Sequence, residues 1–305
     1  MSNIIALIWD FDKTLINGNM QEPIFEEYGV NAKQFWNYVD TLPNKYMKEQ
    51  GVKVNPDTIY LNVFIKESRK GGMFEGLNNK KLREFGSKLK LFNKAEEFFR
   101  RITELSDIHP EWSEYDIKIE NYIISTGFAE IIKGSKLNKY VDSIWGCEII
   151  EDEDKGILAE IGYTIDNTTK TRAIFEINKG VNIHNNEMNI DVNSKIDDQK
   201  RRVQFKNMIY IADGPSDVPA FSVINRYGGS TFAVYPKGNK VALKQVEQLR
   251  LDGRINMYAI ADYDKDSTAS EWILNKIEEY AERIINDSKE QLRKSIGNSP
   301  KHSNY

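Results

Sequence analysis

Apolar residues gather in short unbroken runs, and between them lie stretches with helical spacing. Residues 3–9 form a β-branched and apolar run that stops at Asp10, the pattern of a strand buried on both faces. Similar runs at 119–124, 208–212, 231–235 and 257–261 end at Ser125, Asp213, Pro236 and Asp262. Residues 144–164 alternate weakly around Gly146, Gly156 and Gly162, which predicts a small β-hairpin excursion with the acidic run 151–154 at its turn. Ala95, Phe98, Phe99, Ile102 and Leu105 share one helical face. A helix from Lys170 through Asn178 is stopped by Gly180, and another covers 270–285. Residues 17–92 carry aromatics at helical spacing, broken by Pro43, Pro56 and Gly71-Gly72, and read as several short helices. Residues 181–200 are rich in Asn and Asp and read as a loop or partly disordered insert, and 286–305 as a loose polar tail. Short buried strands alternating with helices predict an α/β fold with a mainly parallel sheet.

Composition narrows the chemistry. The 305 residues carry 42 Lys+Arg against 46 Asp+Glu, a formal charge of −4, which disfavours a dedicated nucleic-acid binder. A single cysteine, Cys147, excludes an internal disulfide and a multi-cysteine metal site, and three scattered histidines disfavour a zinc cluster. The run at 4–9 is too short for a spanning helix or a signal segment, so a soluble, cytoplasmic protein with no membrane partner is expected. Chemistry must come from carboxylates, hydroxyls and lysines.

Those groups collect at predicted strand ends, where open parallel sheets bind ligands. In Asp10-Phe11-Asp12-Lys13-Thr14, residues two apart on extended backbone project the same way, so both carboxylates can face one site. Such a pair suits a hard divalent cation, or a division of nucleophile and acid roles. Ser125-Thr126-Gly127 and Asp213-Gly214-Pro215-Ser216-Asp217 follow two further strands, and Lys170 falls between them. A glycine-containing turn between strand and helix presents N–H groups and a hydroxyl to an anion.

With these four motifs in this order, the chain resembles the haloacid dehalogenase-like (HAD) superfamily, and within it the phosphoserine-phosphatase-like branch. The resemblance rests on the D-F-D-K-T of Asp10 to Thr14, the S-T-G-F of Ser125 to Phe128, Lys170, and the A-D-G-P-S-D of Ala212 to Asp217. It implies a HAD-like (Rossmann-like) core formed by 1–16 and 93–285, interrupted by a helical cap at 17–92. It implies a Mg²⁺-dependent phosphatase in which Asp10 is the nucleophile and Asp12 the general acid and base. Asp213 would hold Mg²⁺ together with Asp10 and the backbone carbonyl of Asp12, and Asp217 would orient Lys170 or the metal's water shell. Ser125 and Lys170 would bind the phosphoryl group with backbone N–H groups of the loops at Phe11 and Thr126, while Thr14 fixes the first loop. The implied substrate is a small phosphorylated metabolite such as phosphoserine.

Ala212 and Thr126 stand where the superfamily often has glycine, and Lys179 competes with Lys170 for the lysine role, Lys170 being preferred. Asp262 to Asp266 imitates a calcium loop, but Ser267 and Ile273 fill the positions that need Gly and Glu, so an acidic helix start is expected instead. Cys147 reads as a packed hairpin residue, and the aromatics from Phe25 to Tyr38 as helical core. Two other functions stay open at this level: a phosphatase acting on a phosphoprotein or nucleic-acid end, and a regulatory or binding protein of the same fold without turnover. The oligomeric state is not legible.

Overall fold

The computed structural model describes residues 3–183 and 192–297. Its centre is a seven-stranded sheet of β1 (Ile4–Trp9), β2 (Lys118–Phe128), β3 (Ser143–Glu151), β4 (Leu158–Tyr163), β5 (Met208–Ala212), β6 (Ser230–Tyr235) and β7 (Met257–Ile260). The order is β4-β3-β2-β1-β5-β6-β7. Every neighbouring pair is parallel except β3 and β4, which form the expected hairpin at one edge.

Alternation along β1 explains the layering. Ile5, Leu7 and Trp9 enter one apolar cluster, and Ala6 and Ile8 enter the other. The first cluster is covered by α5 (Ala95–Ile108) and α11 (Thr268–Gly297), with Trp9 packed edge-on against Phe98 and 5.0 Å from the Phe99 ring. The second is covered by α8 (Lys170–Lys179), α9 (Val218–Arg226) and α10 (Lys240–Leu251). Helices on both faces of a mainly parallel sheet, with a helical segment after β1 and a hairpin at the edge, match the HAD-like core expected from the motifs.

Between β1 and α5 lie α1 (Glu22–Tyr28), α2 (Ala32–Gln50), α3 (Ile59–Glu67) and α4 (Asn79–Ser87). Asn31 and Asn78 cap α2 and α4 by accepting from the Gln34 and Lys81 N–H groups. The break expected at Pro43 is absent: α2 runs through it, with Phe35, Val39 and Leu42 buried before the proline and Tyr46 packed, partly buried, against the same cluster after it. Short helices α6 (Pro110–Glu114) and α7 (Ala129–Gly134) flank β2.

Two further expectations are corrected. The second strand continues past Ile124 through Phe128, so Ser125–Gly127 lies inside β2, where the pairing with β3 loses its register. The polar tail expected from residue 286 is helical as far as Gly297. No Pro interrupts α11, Lys206 pairs with Asp287 at 2.7 Å, and Glu290 pairs with Lys294 one turn on. Of the insert expected at 181–200, residues 184–191 lie outside the described residues. The rest is loop with a 3₁₀ turn at Asp198–Lys200.

Candidate active site

β1 lies between β2 and β5, so the carboxyl ends of the central strands bring Asp10, Ser125 and Asp213 together from distant parts of the sequence. The Asp10 N–H extends the β1–β5 ladder by donating to Ile211 O at 2.8 Å, which fixes the carboxylate beside the β5 terminus. Lys170, the first residue of α8, is fully buried. Its Nζ donates to Asp10 Oδ1 at 2.7 Å and to Asp217 Oδ1 at 2.6 Å. Tyr210 Oη donates to the same Asp217 oxygen at 2.7 Å, and Ser216 Oγ to the other at 2.9 Å. Asp10, Asp213 and Asp217 each offer a carboxylate oxygen within 4.8 Å of the other two.

The charges are unbalanced toward negative. Burial pushes Asp10 up to about 6; Lys170 opposes the shift, Asp217 reinforces it, and the Phe11 N–H moderates it. Burial likewise pushes Asp213 up to about 7, with Asp10 and Asp217 adding to the effect. For Lys170, burial works against the charge, yet Asp10 and Asp217 outweigh it and hold the ammonium above the ordinary lysine value. Lys170, even with Lys13 also opposing the Asp213 shift, therefore leaves the three carboxylates under-compensated. The donor set is all carboxylate oxygen, which fits Mg²⁺ or another hard divalent cation rather than zinc.

Asp12 belongs to a different part of the centre. Its carboxyl accepts from the Met20 N–H at 3.0 Å and faces a cleft of about 320 Å³ beneath α2 and α3. Burial, and then the Asp10 charge, push it well above the usual carboxylate range. Its carboxylate is not part of the Asp10–Asp213–Asp217 cluster. Thr14 Oγ1 donates weakly to Asp10 Oδ2 at 3.4 Å, and the Tyr263 hydroxyl holds the Thr14 carbonyl at 2.6 Å. Ser125 is buried, its Oγ accepting from the Gly127 N–H at 3.1 Å. The Thr126 carbonyl accepts from Tyr60 Oη at 2.8 Å, tying α3 to β2.

Lys179 sits at the other end of α8 and donates to the Ser194 carbonyl at 2.8 Å and to that of Val192. Cys147 is buried against the Thr126 and Ile165 carbonyls. Asp262 accepts from Asn93 Nδ2 and from the Asp264 N–H in a turn before α11. Phe25 and Phe35 are core residues, but Tyr38 is 42% exposed and Trp36 lines the cleft. A larger hollow of about 470 Å³ at Phe175, Phe205 and Tyr227 shares no residue with the centre.

Sequence reasoning missed Tyr210, which completes the Asp217 environment from inside a strand, and Tyr60, Asp57 and Asn167, which line the cleft. None sits in a short motif; each reaches the site only through the fold.

No protein-family model matches the chain. An uncharacterized protein of Borreliella burgdorferi is 38% identical over 291 residues, covering 90% of this chain and 97% of that one. Among solved structures, a HAD family hydrolase from Salmonella enterica serovar Typhi is 14% identical with a TM-score of 0.47, covering 85% of this chain and 67% of that one. A phosphoserine phosphatase in its apo form is 16% identical with a TM-score of 0.45, covering 83% of this chain and 92% of that one. At those values the two structural likenesses carry no weight for chemistry.

Proposed function

The chain belongs to the same family as the Borreliella burgdorferi protein, and we propose that it is a Mg²⁺-dependent phosphomonoester phosphatase of the HAD superfamily. The observation that carries this reading is Lys170 bridging Asp10 and Asp217 at the carboxyl end of a parallel sheet, with Asp213 in the same cluster.

Asp10, Asp213 and Asp217 are the side chains placed to hold the cation. When bound, Mg²⁺ supplies positive charge that offsets the carboxylates and the substrate's phosphoryl oxygens. A carboxylate oxygen of Asp10 attacks phosphorus while the bond from phosphorus to the ester oxygen breaks, giving an aspartyl-phosphate. Asp12 passes its proton to the departing oxygen, a role suited to a carboxyl held above the ordinary range. In the second half Asp12 takes a proton from water, the water oxygen bonds to phosphorus, and the bond to Asp10 breaks to release phosphate. Lys170 keeps Asp10 ionised and oriented. Ser125 and the backbone N–H groups at Phe11 and Thr126 steady the transferred group.

Residues 17–92 act as a cap that covers the site and excludes water. Three hydrogen bonds that cross from this segment to the core support that role: Tyr60 to Thr126, Asn55 to Asp166, and the Asn167 N–H to Asp57. The size of the cleft suits a small phosphorylated metabolite. The test is turnover of p-nitrophenyl phosphate: activity that requires Mg²⁺ and vanishes in Asp10→Asn supports the reading, and inactivity of the wild type across a broad phosphoester panel refutes it.

A further inference from the structure

The general acid must stand within hydrogen-bond reach of the ester oxygen it protonates, so the rest of the leaving alcohol lies in the cleft that Asp12 lines. That cleft has a distinct chemistry. Trp36 and Tyr60 present two aromatic rings whose centroids are 5.7 Å apart at 59°. Trp36 is braced edge-on by Phe25 and Phe35, so its position is set by packing. The Tyr60 hydroxyl is committed to the Thr126 carbonyl, which leaves the ring as what this residue offers a ligand. Asp57 adds a carboxylate held across the cleft by the Asn167 N–H at 3.2 Å. The remaining side chains are carboxamides and a hydroxyl, from Asn19, Gln21, Asn167 and Thr126. Among the described residues, no Lys, Arg or His lines it.

We infer that the leaving group carries an ammonium: the substrate is a small amino-alcohol phosphate, bound by its cation against Trp36, Tyr60 and Asp57. This inference rests on the phosphatase reading above and narrows it. Aromatic faces beside a fixed carboxylate attract an ammonium through the ring quadrupole and the opposite charge. A leaving group bearing a carboxylate meets the Asp57 charge with no cationic side chain lining the cleft, and exchanges its hydration for neutral carboxamide and hydroxyl donors alone. Phosphoserine, which carries both groups, is therefore disfavoured relative to the same molecule without its carboxylate.

Four phosphate esters separate these terms: ethyl phosphate, phosphoethanolamine, phosphocholine and phosphoserine, each assayed with Mg²⁺ by phosphate release. The two ammonium esters lacking a carboxylate are expected to exceed ethyl phosphate by about tenfold in kcat/KM. Phosphoethanolamine is expected to exceed phosphoserine by at least a similar factor. Asp57→Asn keeps an acceptor for the Asn167 N–H while removing the charge, and should collapse the preference for phosphoethanolamine over ethyl phosphate. Ethyl phosphate or phosphoserine turned over as well as phosphoethanolamine overturns the inference, as does a preference unchanged in Asp57→Asn. Failure with p-nitrophenyl phosphate as well strikes the phosphatase reading itself, so the two failures are distinct.

Discussion

Lys170 is the residue on which the electrostatics of the centre turn. Its Nζ separates Asp10 from Asp217, and without it two buried carboxylates share one hydrogen-bonding space. Lys170→Met should therefore cost about 3–5 kcal/mol of stability, the range for breaking a buried pair by removing one partner. Activity should fall at least about a hundredfold, in line with the loss of a preorganised charge beside a reacting group. Urea unfolding and steady-state kinetics measure the two effects. Lys179→Met, which releases only loop carbonyls, should leave turnover near wild type. Equal losses in the two variants would contradict the assignment. The contrast also shows what a sequence reveals at this scale. Asp10, Asp12, Asp213 and Asp217 are legible because each lies within a short motif at a strand end. Tyr210 and Asp57 are not. Tyr210 looks like any aromatic of a buried strand, and Asp57 like any loop acid, until folding sets one against Asp217 and the other against Asn167, 110 positions away.

At the level of elements, the α4–α7 contact joins the helical segment to the core through two glycines. A Cβ at Gly134 would stand 1.9 Å from the Arg83 carbonyl oxygen, and one at Gly86 would stand 2.0 Å from the Ile131 carbonyl oxygen. Both obstacles are backbone, so the helices must separate to admit a methyl group. Gly134→Ala should cost about 1–3 kcal/mol, the usual penalty for overpacking. A melting temperature within a degree of wild type would show that this contact yields more easily than its geometry allows. The sequence predicts short helices within 17–92, yet nothing in it announces that one of them meets α7 backbone to backbone. The same boundary of legibility runs through β2 and α11. The Ser125–Gly127 stretch has turn composition but is held in β2 by Phe128 pairing with Cys147 of β3. The far half of α11 has tail composition but no residue that stops a helix before Gly297.

For the whole molecule, the excess of buried negative charge couples stability to pH and to the cation. Asp10 and Asp213 titrate near 6 and 7 in the fold, against an ordinary value of 3.8. The folded chain thus holds protons that the unfolded chain has released. The stabilisation these groups give is complete below about pH 4 and is lost as pH rises through 6 to 7. A divalent cation replaces those protons, so the rise in melting temperature on adding Mg²⁺ should be larger at pH 8 than at pH 5. Comparing melts with and without Mg²⁺ at each pH cancels the contributions of other groups. A shift of equal size at both pH values would mean that the cation does not bind these carboxylates.

The central claim, covalent catalysis by Asp10, is met most directly by trapping the phosphoryl group. Asp12→Asn protein is mixed with Mg²⁺ and p-nitrophenyl phosphate bearing a radiolabelled phosphoryl group, quenched in acid within one turnover, digested and mapped. With a nitrophenolate leaving group that needs little protonation, and with no base to activate water, the label should accumulate on the peptide containing Asp10 and be released by hydroxylamine. Release of nitrophenol with no label on the protein, or label on a peptide lacking Asp10, would contradict the account.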